Sequence, residues 1–458
     1  MALEISSQNS SIEKAARAGE KAFRGMASRK RWRVVAFPVL VREVSEGVNV
    51  VALSNGFLRS ASVVFLVGRG SYSDPIEGCA CTDNSMRLRL TSKLGPLALQ
   101  AALDRLGATV EALTDRDYML LRAQVPSKKL EECLKLLAEL YAFPSFPRSE
   151  LDKEKASQRL AYEKIMQDPM TASMTNVWEA AFPRNRLGHP VTGYPNTIEK
   201  ITPKTLKEFD EQTRRTAPMV ISIVSKQREE TLVDWATSSF ENVSLETSPE
   251  KITSGPRREF NVLRTLLQAQ QTTFTVGAVT AGASSPDYPV LLLLEDYLGC
   301  ERHYAGTLFK ELREKRGLTY FAGSRLFALK DCGLLTAQAG VKHEKVSEAL
   351  RLTLRCMKDL RDKALPEKSL KKLKTLHRQV TETMLEVPSR ASTWLALNLF
   401  RGAETNPESY MSKIEAVTPE NIRKVAEKSL TASRVSLSIA GKPPSMKNLA
   451  ETLREGTE

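Results

Sequence analysis

At 458 residues, with 41% hydrophobic and 26% charged side chains, the chain is too long for one ordinary domain and can bury large cores without disulfide or metal staples. The formal charge of +13 favours acidic partners in general, but Lys and Arg alternate with Asp and Glu rather than with aromatics, so no nucleic acid is expected as a partner. The longest uncharged run, Thr265 to Pro286, is rich in Gln, Thr and Ser and cannot span a bilayer, so membrane contact is expected only through partners.

Along the chain, residues 1–40 read as an N-terminal extension or transit-like segment, Ser- and Ala-rich with Arg24, Arg29, Lys30, Arg31 and Arg33 close together. A first α+β domain is expected over 41–243. In it, Val48 to Leu53 and Ala61 to Val67 flank an Asn55-Gly56 turn, which predicts a hairpin. Helical patterns follow up to about residue 106, then a strand pair around Val110 and Leu120 to Val125, then a helix over Lys128 to Tyr141. A Ser-, Thr-, Glu-, Lys- and Pro-rich linker is expected over 244–257. The second domain, 258–442, is expected to open with a strand near Phe274 to Val279 and a helix through Val290 to Leu298, leaving a tail over 443–458. Six scattered cysteines (79, 81, 133, 300, 332 and 356) show no CxxC pairing and fit a reducing compartment.

One unit is used twice. Ile198-Glu199-Lys200-Ile201-Thr202-Pro203 is echoed at an offset of 216 by Ile414-Glu415-Ala416-Val417-Thr418-Pro419. In each copy Thr-Pro marks a helix start, because the hydroxyl caps orphan amides and proline suits the first helical position. The apolar runs Met219 to Val224 and Val435 to Ala440 repeat the same offset, and Pro147 to Leu151 parallels Pro366 to Leu370 at 219. Ordered echoes at nearly constant spacing argue for duplication of an α+β unit.

Several segments then carry a family resemblance: Leu53-Ser54-Asn55-Gly56, Val67-Gly68-Arg69-Gly70-Ser71-Tyr72-Ser73-Asp74, Leu187-Gly188-His189-Pro190 with Gly193, and Leu312-Arg313-Glu314-Lys315-Arg316-Gly317-Leu318-Thr319-Tyr320. In order and spacing they resemble the pitrilysin-like metallopeptidase superfamily, in particular its branch of mitochondrial processing peptidases and complex III core proteins. The resemblance implies two homologous α+β domains, sheets packed with helices, forming half of a bowl-like chamber.

Active relatives carry His-x-x-Glu-His on one helix and a distal glutamate 76 residues later. Side chains four apart share a helix face and can hold one zinc, whose bound water the intervening glutamate deprotonates. Aligning Gly78-Cys79-Ala80 with the family's Gly-x-Ala puts Cys81, Asn84 and Ser85 on that motif and Ala161 on the distal position. Shifting the alignment does not restore it, since the four histidines (189, 303, 343 and 377) are never closer than 34 residues. No metal, no cofactor and no catalytic residue are therefore expected, and the resemblance implies an inactivated peptidase homologue. Glu154, seven before Ala161, reads as a surface charge beside Lys153 and Lys155.

Arg313 and Tyr320 match the pair with which active relatives hold substrate backbone. They read either as a residual peptide clamp or as an ion-paired arginine and a packed tyrosine. Within the branch, loss of both ligands and base is the character of core protein 2. That implies a second core protein as heterodimer partner, contacts with cytochrome b, cytochrome c1 and the Rieske subunit, and a place on the matrix side of the mitochondrial inner membrane. The alternative is the non-catalytic alpha subunit of the processing peptidase. Its glycine-rich loop corresponds here to Leu298 to Thr307, which has two glycines and two charges among its residues.

Overall fold

Runs of apolar and β-branched residues build two sheets, each the scaffold of one half. The computed structural model describes residues 38–240, 251–253, 261–300, 306–431, 434–445, 447–449 and 451–452. The basic N-terminal cluster, most of the expected linker, His303 and the end of the tail lie outside the described residues. The first sheet contains β1 (Val39–Ser45), β2 (Val48–Ser54), β3 (Ser60–Val67), β4 (Thr109–Thr114), β5 (Met119–Pro126) and β6 (Met219–Ser225), in the order β1-β2-β6-β3-β5-β4. The second contains β7 (Asn261–Leu266), β8 (Thr272–Ala281), β9 (Thr319–Ala328), β10 (Cys332–Val341) and β11 (Val435–Gly441), in the order β7-β11-β8-β10-β9. Without β1 the two orders are the same, and β2–β6 and β7–β11 are both parallel.

The hairpin expected at Asn55-Gly56 does not form. β6 lies between β2 and β3, pairing parallel with one and antiparallel with the other. All seven residues of β6 are buried, and a central position is where such a strand loses most water-exposed apolar surface. The hairpin in this region is instead β1–β2, turning at Gly47, whose φ of 71° suits glycine. The second half likewise opens with β7, earlier than the expected strand near Phe274. β7 is an edge strand of mostly half-buried residues, so its sequence carries only a faint strand pattern.

Helices of the first half are α1 (Cys79–Met86), α2 (Pro96–Leu106), α3 (Leu130–Ala142), α4 (Arg148–Gln167), α5 (Pro169–Ala181), α6 (Pro203–Thr216) and α7 (Glu229–Phe240). Those of the second are α8 (Tyr288–Leu298), α9 (Val346–Asp362), α10 (Glu367–Leu385), α11 (Pro388–Arg401), α12 (Pro407–Glu415) and α13 (Pro419–Ser429). Thr202 and Thr418 cap α6 and α13, accepting from Thr205 N and Asn421 N, with proline in the first turn of each.

The halves exchange helices. α5 packs on β11, β8 and β7 of the second sheet, while α11 packs on β6 and β3 of the first. Ser173 and Ser392, 219 residues apart, make equivalent buried contacts across the exchange. Ser173 Oγ meets Thr275 Oγ1 at 2.9 Å, and Ser392 Oγ meets Ser62 Oγ at 2.9 Å. Each half has its own core, and a third cluster joins Val177, Trp178 and Leu187 to Val279, Phe327 and Leu334. Burying one such side chain is worth about 1.5–3 kcal/mol, so the cores and the exchange hold the halves together more than any cap does. No described helix is long and apolar enough to cross a membrane.

Candidate functional site

The helix carrying positions 81, 84 and 85 is α1, which runs along the first sheet against α4 and α6. Its start is built from close backbone approaches. Gly78 has φ 97°, and a Cβ there would lie 2.7 Å from Thr192 O; a Cβ on Gly193 would lie 2.3 Å from Glu77 O. The Leu187 to Gly193 signature therefore serves to press its loop onto the start of α1. Asp74 accepts from Gly78 N and Ala80 N, both at 2.7 Å, which satisfies two amides that the helix leaves orphaned. Gln158 of α4 completes the join: it accepts from Thr82 Oγ1 at 2.7 Å and donates to Gly78 O and Thr192 O.

On this frame the candidate positions of α1 are turned to neighbours within the protein. Asn84 Nδ2 donates to Leu113 O (2.9 Å), Thr114 Oγ1 (3.2 Å) and Leu120 O (3.2 Å), tying α1 to β4 and β5. Cys81 is hydrogen-bonded to Ser85, and burial, aided by the charges of Glu154 and Asp74, pushes its thiol up to about 12. Ala161 lies on the same face of α4 as Glu154 and Gln158, is exposed, and offers only a methyl group.

Zinc, the metal that the fold implies, does not fit this donor set. It needs thiolate, imidazole or carboxylate, and α1 with α4 presents a protonated thiol, a locked amide, a hydroxyl and a methyl. Among the described residues no group of three or more His, Cys, Asp and Glu side chains could hold a metal ion.

Glu154 is not the surface charge expected from its neighbours. It is buried, and its carboxylate accepts from Arg89 Nε at 2.6 Å, with Glu150 at 3.8 Å from the same guanidinium. In a separate group Arg87, 3% exposed, bridges Asp83 at 3.0 Å and Asp210 of α6, and Arg214 meets the other oxygen of Asp210 at 2.8 Å. Burial raises Asp83 to about 6 while Arg87 works against it; Arg87 itself, opposed by burial but held by both carboxylates, stays above the usual guanidinium range. Sequence reasoning missed this network, though Asp83 and Arg87 stand four apart on one helix, the spacing of an ion pair.

In the second half, Arg313 makes no ion pair among the described residues, where one sequence reading had it paired with an acid. Its Nη1 donates to Tyr320 O at 3.1 Å, and the guanidinium sits over the Phe309 ring (4.9 Å) and the Tyr320 ring (5.8 Å). Nor is Tyr320 packed: it is 81% exposed at the start of β9, the edge strand. The two residues are thus brought together, with an aromatic face turned outward at the start of β9. A further buried group went unread in the sequence. His377 of α10 joins Asp296 of α8 at 2.6 Å to Tyr410 of α12 at 2.9 Å, and Cys300 Sγ meets the other Asp296 oxygen at 3.1 Å.

Comparison with known proteins places this geometry. Residues 49–194 match the sequence model of Insulinase (Peptidase family M16), and residues 200–376 match that of the Peptidase M16 inactive domain. An uncharacterized zinc protease of Bacillus subtilis, YmxG, is 24% identical over 325 residues, covering 68% of this chain and 76% of that protein. A probable inactive metalloprotease of the same organism, YmfF, is 24% identical over 357 residues, covering 72% and 81%. Among solved structures, a peptidase M16 inactive domain from Pseudomonas fluorescens superposes with a TM-score of 0.81 at 21% identity, covering 89% of this chain and 98% of that one. A protease from Helicobacter pylori superposes with a TM-score of 0.80 at 16% identity, covering 89% and 100%. At these identities the structures speak for the fold.

Proposed function

The chain belongs to peptidase family M16, and from that premise we propose that it is a catalytically silent member contributing shape and surface rather than hydrolysis. One observation carries the reading: the side chains at 81, 84, 85 and 161 are a thiol pushed up to about 12, an amide with three internal acceptors, a hydroxyl and a methyl. None of these makes a metal-bound hydroxide or removes its proton. Similarity to a probable inactive metalloprotease supports the same reading, although other relatives are named zinc proteases.

Within that class the finer proposal is a scaffold: a core subunit of mitochondrial respiratory complex III on the matrix side of the inner membrane. A second core protein would be its heterodimer partner, with cytochrome b, cytochrome c1 and the Rieske subunit as neighbours. The relatives named above are bacterial, so this reading draws on the residues. Ligands and base are lost together, and a net charge of +13 suits an acidic partner surface better than an Arg-rich presequence. The second reading, the non-catalytic alpha subunit of a processing peptidase, is favoured by the outward-facing Arg313 and Tyr320 pair at the β9 edge.

Metal analysis and peptide cleavage test the class. The purified chain is expected to hold no stoichiometric zinc and to leave presequence peptides intact; one zinc per chain with cleavage would overturn it. Affinity purification from detergent-solubilised membranes tests the finer step. Haem-containing subunits are expected to co-purify, whereas a soluble two-subunit peptidase would select the second reading.

A further inference from the structure

The two sheets differ by one strand. In the first, β1 lies outside β2 and antiparallel to it, with Val39 opposite Leu53 and Arg42 opposite Val50, so it covers the edge of a six-stranded sheet. The second sheet has five strands in the matching order, and among the described residues no strand stands where β1 would. Its edge is β7, the counterpart of β2. Local connection explains the difference. β1 reaches β2 through Glu46 and Gly47, a turn short enough for a hairpin. Ahead of β7, Ile252 and Thr253 are instead tied to the junction of the halves. Ile252 joins the apolar cluster that links them, Thr253 N donates to Tyr72 Oη at 3.3 Å, and Asn185 Nδ2 donates to Thr253 O at 3.1 Å.

β7 therefore keeps one row of backbone N–H and C=O groups turned outward. Its pairing runs to β11 on one side, from Asn261 opposite Ser436 to Leu266 opposite Gly441. Among the described residues no backbone bond or bridge reaches its other side. β9, the opposite edge, is less open, since Ser324 N donates to Gly299 O at 2.6 Å. An edge of this kind is a template for another strand, and β7 guards it with neither a proline nor a register shift. Its side chains define what fits. Successive residues alternate faces, so Val262, Arg264 and Leu266 share one. Val262 packs against the second core, while Leu266 is 76% exposed. Arg264 is exposed too, and among the described residues its side chain makes no hydrogen bond or ion pair. On the other face Thr265 Oγ1 already accepts from Asn176 Nδ2 of α5 at 2.8 Å.

We propose that the β7 edge takes an extended segment of a partner protein as an added strand, antiparallel to β7 as β1 is to β2. The segment carries apolar residues opposite Val262 and Leu266 and a carboxylate opposite Arg264. Main-chain bonds along the edge supply affinity, and the apolar–acidic–apolar alternation supplies the choice of partner. The inference uses only the sheet edge, so it holds whether or not the chain is catalytic or joins a respiratory assembly.

The probe is a fluorescein-labelled peptide, Thr-Leu-Thr-Glu-Thr-Val-Thr, titrated with the full chain up to about 1 mM while anisotropy is read. Saturable binding is expected, with amide exchange slowed across residues 261–266 and unchanged in β4 and β9. Arg264→Glu alters an exposed side chain without internal contacts, so the variant folds. It is expected to weaken binding at least about fivefold, and a peptide with Lys in place of Glu to recover it. The original peptide, N-methylated at alternate residues along its bonding edge, is expected not to bind, because strand addition needs those donors. Absence of saturation overturns the proposal. So does binding indifferent to both Arg264→Glu and N-methylation, or protection that falls on another edge. Sedimentation of the chain alone closes the test: a dimer with 261–266 protected makes a second copy the occupant and overturns the partner segment.

Discussion

Helix α1 in the first half and helix α8 in the second occupy equivalent places. Each follows a loop anchored by matching backbone bonds (Ser71 N to Asp115 O and Tyr72 N to Arg116 O; Ala283 N to Leu329 O and Ser284 N to Lys330 O), and each packs against the long helix that follows, α4 or α10. Their means of attachment differ. α8 runs through Val290 and four leucines, all buried in the second core, with Asp296 to His377 as its buried polar tie. α1 reads Cys-Ala-Cys-Thr-Asp-Asn-Ser-Met and is fixed by Asn84 to the sheet, Thr82 to Gln158, and Asp83 with Arg87 to Asp210. The comparison teaches that a helix poor in large apolar side chains can stay in place, because polar contacts to the surrounding frame hold it where leucines mainly hold its counterpart. Burial by leucine tolerates adjustment; a buried charge network does not, since removing one member leaves another unpaired.

The sharpest way to break this contrast is Arg87→Met. It leaves Asp83 and Asp210 buried without their cation, and a loss of about 3–5 kcal/mol is expected in urea unfolding. The sign of its pH dependence is diagnostic. Burial already raises Asp83 to about 6 against the pull of Arg87, and the variant removes that pull, so it should regain stability relative to the native chain as pH falls toward 5. A loss under about 1 kcal/mol would mean that α1 is not held by its charges.

Leu293→Ala removes a fully buried side chain from α8 and should cost about 2–4 kcal/mol with no such pH signature. If it showed one, the two helices would be attached alike. Asn84→Ala breaks three donations from one amide and leaves Leu113 O and Leu120 O to find other partners, an expected cost of about 1–3 kcal/mol. Its effect should fall on α1, seen as faster hydrogen exchange there than in α8.

The smallest effect concerns His189, beside the start of α1. Burial lowers its pKa below 6.5, partly countered by its bond to Pro190 O and by Glu77. Below that pH the unfolded chain binds more protons, so this residue should subtract stability as the solution is acidified. Midpoints in urea at pH 7.5 and 5.5 should therefore converge slightly in His189→Gln.

Much of this was legible without coordinates. Thr202-Pro203 and Thr418-Pro419 fix two helix starts because a cap and its helix are neighbours in sequence. The identities at 81, 84, 85 and 161 and the sparse histidines are facts of composition and spacing. The repeat is legible because duplicated cores need the same apolar residues in the same order. What failed were inferences about partners. Asn55-Gly56 does turn the chain, but the strands on either side pair through β6, which arrives more than 150 residues later. Glu154 sits among lysines in sequence and beside Arg89 in space.

By itself, then, the sequence determined the local signals: caps, strand and helix periods, the doubled α+β unit, and which chemical groups stand at 81, 84, 85 and 161. Only the tertiary structure decided the order of strands, the exchange of α5 and α11 between halves, and the edge that β7 leaves open. The reason is range. Capping and periodicity act over a few residues, whereas burial and charge compensation are settled among whichever groups the folded chain brings together from afar.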